Sequence, residues 1–220
     1  MTDHAPAAPP PSQSEAVLAA PKRPRGRPRR PDVDRAILEA TLDAFIQDGY
    51  EGMSVDGVAE RAGVAKATVY RRWPSKQELL VAAGQHLYAE HVRFPDSGDL
   101  RTDLVALLRV VRHIATQTKA GQAMPRMVRE MAAGTSMGRA FQERVLLPRF
   151  RLAREILERA QSRGELREDQ DLDLAVASLV GTVIFLHLLG QLRDMPLDLP
   201  ERLVAQLLDG IGASQPKARG

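Results

Sequence analysis

An all-α protein is predicted by three observations. Apolar residues recur three and four positions apart along most of the chain, the period that turns one face of a helix inward. Aromatic residues make up only 4% of the sequence, and Ala, Leu, Val, Arg and Glu are common, a balance that favours helix over sheet. The stretch from Ser54 to Leu79, SVDGVAERAGVAKATVYRRWPSKQEL, has the form of two short helices joined by a glycine turn and followed by a capped third.

The first thirty residues are rich in Pro and Ala, then basic, with little apolar periodicity, and read as disordered. Residues 1–31 hold six Lys/Arg and two acids, so the net charge of +3 leaves a near-neutral body behind a cationic tail, as suits a polyanion partner. No apolar core of a secretory signal is read in this segment. The chain has no cysteine, which rules out disulfides and thiolate metal sites and suits a cytosolic protein.

A first helix should start near Asp32, a capping residue, and run with Ile37, Ala40, Thr41, Ala44 and Phe45 on one face until Gly49 stops it. Ser54 can cap a second helix that buries Val55, Val58, Ala59 and Ala62. Gly63 supplies the turn, Val64 plugs the core, and a third helix spans Lys66–Arg72. Ser75 and Glu78 form a capping box for a fourth helix reaching about Val92, with Pro74 and Leu79 as its staple. Pro95-Asp96-Ser97-Gly98 then breaks the chain, and the domain boundary is placed there.

Helices are predicted next over Leu100–Thr118, about Gln122–Ala133, and Met137–Arg163, the last kinked by Pro148 and ended by Gly164. Two more cover Asp171–Leu192 and Pro200–Ile211. Leu174–Leu192 has no formal charge and the length of a membrane span. Its Ser178, Thr182, His187 and Gln191 and its acidic lead-in favour a helix buried on two sides instead.

Five basic residues (Arg61, Lys66, Arg71, Arg72, Lys76) lie between Arg61 and Gln77 with no acid among them, which points to DNA. The third helix can enter a major groove. Lys66 can donate to guanine, and the methyls of Ala67 and Thr68 can pack on thymine. Tyr70, Arg71 and Lys76 flank them, and Tyr70 and Lys76 are better placed for phosphates. Val69 and Trp73 are expected in the core.

Residues Arg35–Leu80 resemble the TetR (tetracycline-repressor-like) family of bacterial transcription regulators. The resemblance rests on Phe45, Gly49-Tyr50, Ala59, Ala62-Gly63-Val64, Thr68-Val69-Tyr70 and Trp73-Pro74-Ser75-Lys76. Ala65 stands where the family often has serine, so the third helix lacks a hydroxyl cap, and Gly57 sits inside the second helix. The resemblance implies that Tyr50 and Ser54 touch the DNA backbone, that the protein is a repressor of a bacterial cytoplasm, associated with the nucleoid when bound, and that it acts as a homodimer on a palindromic site. The last two long helices would form the dimer interface through Val176, Val180, Ile184, His187, Leu203 and Leu207. The middle helices would hold a small apolar effector, with the Met124, Met127 and Met131 stripe and Phe141 and Phe150 as its wall and His113 and Gln117 as polar anchors.

The expected organisation is therefore a tail over 1–30, a DNA-binding domain over 32–92, an effector and dimerisation domain over 98–213 and a short tail over 214–220, with about nine helices. Pro24-Arg25-Gly26-Arg27-Pro28 also resembles an AT-hook, in which Arg25 and Arg27 enter a narrow minor groove. An architectural DNA-binding protein without an effector is the competing reading. No HExxH, P-loop, GxGxxG or nucleophile elbow is present, so an enzyme, a cofactor and a metal are not expected.

Overall fold

The computed structural model describes residues 30–89 and 96–210, and every regular element among the described residues is helical. The first four are α1 (Arg30–Gly52), α2 (Val55–Arg61), α3 (Lys66–Tyr70) and α4 (Lys76–Ala89). Then come α5 (Leu100–Gln117), α6 (Lys119–Ala132), α7 (Ser136–Phe141), α8 (Leu147–Ser162), α9 (Leu172–Leu188) and α10 (Leu199–Asp209). A π turn over Gln142–Leu146 links α7 to α8. Counting α7, the π turn and α8 as the single rod that the sequence predicts gives nine helices among the described residues, the number expected.

Gly49 takes φ 73, which breaks the regular ladder of α1 where the sequence places its end. The carbonyls left over there are met by cations. Lys76 Nζ donates to Tyr50 O at 2.7 Å and Arg126 Nη2 to Gln47 O at 3.0 Å, as favours a helix C-terminus. Half of the expected capping box forms: Glu78 N–H donates to Ser75 Oγ at 3.1 Å. The Glu78 carboxylate does not return to Ser75. It accepts both Arg144 nitrogens, at 2.6 and 2.9 Å, because a bidentate charged pair outcompetes one neutral amide.

Pro148 interrupts the regular ladder of the rod from 136 to 162. Without an N–H, and with a ring that excludes the carbonyl four residues back, it leaves the ladder open before it. The chain responds with a wider turn, in which Leu147 N–H donates to Gln142 O. A second proline lies inside α6, which begins three residues earlier than predicted, at a Thr118 cap. Pro125 leaves Gly121 O without its helical partner, and His187 Nε2 of α9 meets that oxygen at 2.9 Å. A carbonyl only accepts, so this His187 nitrogen carries the proton. Gly121 is required for another reason as well: a Cβ there would lie 1.8 Å from Ala115 O of α5.

The apolar residues form two cores. One joins Ile37, Phe45, Val58, Val69, Leu79 and Leu80 of the first four helices to Ile114, Ala123, Met127, Met137 and Phe141. Thus α6 and α7, distant in sequence, pack directly on α1 and α4. The other gathers α5, α8, α9 and α10 around Leu104, Leu108, Ile156, Leu157, Leu179 and Val204. α9 stops at Leu188, four residues before the expected end, because Gln191 and Leu192 N–H both turn back to Leu186 O. No helix among the described residues is long and apolar enough to cross a membrane.

Candidate DNA-reading face and ligand cavity

The reading unit is assembled from short-range interactions. Ser54 caps α2 by accepting Gly57 N–H at 3.1 Å. Gly63 turns the chain at φ 66, and Val64 N–H returns to Ala59 O at 2.9 Å. α3 starts at Ala65 in extended conformation with no side-chain cap, as the missing serine predicts. Val69 is fully buried and anchors α3 to α1 and α2, so Lys66, Ala67, Tyr70 and Arg71 are left exposed and Thr68 half-exposed. Trp73 packs against the first core rather than facing outward. Arg72 is tied down by an ion pair with Asp34 and by donation to Thr68 O.

Two of the expected cationic contacts on DNA have partners within the chain. Lys66 Nζ pairs with Asp56 Oδ1 at 2.7 Å, and that hydrogen bond holds its ammonium above the usual lysine range. The pair is exposed, and such pairs contribute little, so exchange for a base or a phosphate is cheap. Lys76 is more committed. Besides holding Tyr50 O, its ammonium sits 4.5 Å from the centre of the Tyr50 ring, so its first task is to close the end of α1. Tyr50 is half-buried beneath it. Arg25 and Arg27 lie outside the described residues.

A cavity of about 300 Å³ lies between the two cores. Its wall takes Leu42 and Phe45 from α1, Leu80, Gly84, Leu87 and Tyr88 from α4, and apolar residues of α5, α6, α8 and α9. Of the expected effector residues, Met127, Met131, Phe141 and Phe150 line it, as does Met124. His113 and Gln117 do not. The face of α5 that reaches the cavity is Leu107, Val110, Val111 and Ile114, while His113 and Gln117 are on the exposed face. The α1 and α4 part of the wall is not legible in the sequence: Phe45 reads there as core of the first helix, and no spacing turns Leu42, Leu80, Leu87 or Tyr88 toward α6. Nor is Arg149, whose guanidinium lies 4.0 Å from the Tyr88 ring centre.

The dimer residues expected on α9 point inward. Val176 is buried, Val180 and Ile184 line the cavity, and His187 is bound to Gly121 O. The apolar stripe left in solvent is on the opposite face: Leu174 (62% exposed), Phe185 (60%) and Leu189 (54%), with Ser178 and Gly181 exposed between them. A two-residue shift is about 200° of helical rotation. A helix apolar all round has no polar face to mark its outside in the sequence. On α10, Leu203 and Leu207 are half-buried against the second core. Among the described residues no group of three or more His, Cys, Asp or Glu is placed to hold a metal.

This arrangement is matched in known proteins. Residues 37–83 match the family of bacterial regulatory proteins of the tetR family, and residues 94–207 match the tetracyclin repressor-like C-terminal domain. The HTH-type transcriptional regulator AqdR of Rhodococcus erythropolis is 31% identical over 184 residues, covering 83% of this chain and 87% of that protein. The HTH-type transcriptional repressor KstR of Rhodococcus jostii is 32% identical over 187 residues, covering 83% and 85%. A solved TetR family transcription regulator, SCO0332, superposes with a TM-score of 0.64 at 32% identity, covering 83% of this chain and all of that one.

Proposed function

The chain belongs to the TetR family of helix-turn-helix transcriptional regulators, and from that premise we propose that it is a ligand-responsive repressor acting in the cytoplasm as a homodimer on a palindromic operator. The observation that carries this reading is the cavity wall, which α1 and α4 share with α5, α6, α8 and α9. A ligand inside it touches the helices that carry the reader and those that carry the dimer face at once. That is the differential contact a ligand needs in order to shift a conformational equilibrium.

Further links cross the same border. Glu78 of α4 binds Arg144, Asp43 of α1 binds Lys119 at 2.7 Å, and Gln47 O of α1 binds Arg126. Movement of α6 or of the π turn is thereby passed to α1 and α4, and so to α3. Lys66, Ala67, Thr68, Tyr70 and Arg71 are the proposed contacts on DNA, with Ser54 and Tyr50 on its backbone. The exposed stripe of α9 supports dimerisation, since a contiguous apolar face seeks a partner. Two copies would set their α3 helices about one turn of DNA apart, ~34 Å, or a multiple of it. The relative named as a repressor supports that sign of regulation.

The test is selection of fragmented genomic DNA by the purified protein at physiological salt, then footprinting of the enriched sites. A single palindromic motif is the expected result. Enrichment of A·T-rich fragments with no motif would instead establish the architectural alternative.

A further inference from the structure

The cavity wall carries a single formal charge. Apart from the phenol of Tyr88, every lining residue other than Arg149 is apolar. Arg149 has no carboxylate partner among the described residues. Its Nη1 donates to Val145 O within its own helical rod, its face stacks on Tyr88, and its Nε is shut off from water with no acceptor. Burial pulls the guanidinium below the usual arginine range and pushes the Tyr88 phenol up, so the surroundings disfavour charge on both. Arginine nonetheless stays protonated in proteins. A half-buried cation without a counter-ion is a poor way to stabilise a fold, because its lost hydration is not repaid by a charge partner.

The rest of the wall says what accompanies the missing anion. Met124, Met127 and Met131 offer flexible, polarisable surface that adapts to varied apolar shapes. The volume, about 300 Å³, is at the small end of ligand sites and admits on the order of ten water-sized groups at ~30 Å³ each. Phe150 and Gly181 are the exposed members of the wall, which puts the side nearest solvent between α8 and α9, next to Arg149.

We infer that the cavity takes a small amphiphilic monoanion, with a carboxylate held by Arg149 and a hydrocarbon body of about ten heavy atoms lying among the methionines. The inference rests on the effector reading above and adds the chemical class of the effector. It also gives the head group a task. A carboxylate on Arg149 competes with the stacking of that guanidinium on Tyr88, a residue of α4. The charged end of the ligand therefore acts on the helix that follows the reader, while the apolar end supplies affinity.

The experiment is calorimetric titration of the full-length protein with decanoate and with 1-decanol, which share a chain and differ in charge. Decanoate should bind wild type about 10-fold or more tightly than decanol. Arg149→Gln should erase that preference, and Arg149→Lys should retain part of it. Equal binding of the two ligands by wild type overturns the anion inference and leaves the cavity reading standing. Failure of both ligands to bind overturns the two together. The ligand pair decides on wild type alone, so a variant that does not fold cannot spoil the result.

Discussion

α3 is five residues long and buries one side chain, Val69; α6 is fourteen residues long and buries Ala120, Gly121, Ala123 and Met127. The reader is shaped by contacts between near neighbours in sequence: the Ser54 cap, the Gly63 turn and the return of Val64 N–H to Ala59 O. The cavity region is held by contacts between residues far apart in sequence, such as His187 with Gly121 O and Arg144 with Glu78, each 66 positions apart. The difference separates two kinds of residue. Those on the outer face of the reader are free to serve DNA because stability does not depend on them. Those around the cavity do both jobs, so ligand and fold are coupled there.

The hardest blow to the cavity region is Gly121→Ala. A Cβ 1.8 Å from a backbone oxygen has no flexible side chain to push aside, so α6 must move off the end of α5. The expected loss is about 3 kcal/mol in urea unfolding. An unchanged unfolding midpoint would show that the two helices do not meet so closely. On the reader, Arg71→Ala should do the converse. Its side chain is exposed at the end of α3, so stability should hold within about 0.5 kcal/mol. Operator affinity should fall about 10-fold and the salt slope by about 1, as for one lost phosphate contact. Unaltered affinity and slope would remove Arg71 from the interface.

The same contrast explains how much could be read from sequence. The reader was legible because its signals are local: a cap at Ser54, glycine at 63, apolar spacing through Val58 and Val69, and an acid-free basic run. The cavity was legible only in part. Met127, Met131, Phe141 and Phe150 announced themselves as an apolar set, but no periodicity shows that Leu42 and Tyr88 face them. Arg149 resembles any other arginine until burial and the lack of an acid are known. α9 misled for a physical reason, since both of its faces are apolar and only packing decides which is covered. Pro125 was passed over because its cost is met by a histidine 62 positions away.

A milder change tests whether the reader is as self-contained as this contrast implies. Ser54→Ala removes the α2 cap and should lower stability by about 1 kcal/mol, with Ser54→Gly losing only a few tenths. Because Ser54 does not line the cavity, any ligand affinity should be unaffected. A parallel loss of ligand affinity in Ser54→Ala would mean that the two regions are coupled even at their most local element.

The smallest effect expected lies at the joint between them. The Arg144 hydrogen bonds hold Glu78 below its ordinary value of 4.5, and Arg144 is raised in return. A carboxylate depressed in the folded state adds stability above its ordinary value and loses it as pH falls through the folded one. Wild type should therefore melt above Glu78→Gln at pH 7, and the gap should close as the pH is lowered from about 5 toward 3. The gap is small even at pH 7, because the pair is exposed to solvent. Asp99, Glu165 and Glu201 are also depressed, so both proteins lose stability over that range, and only the difference between their melting curves reports the joint. A gap that persists at pH 3 would mean that Glu78 supports α4 through packing rather than charge. The electrostatic link from the cavity region to the reader would then have to run from α6 to α1, through Lys119 and Asp43.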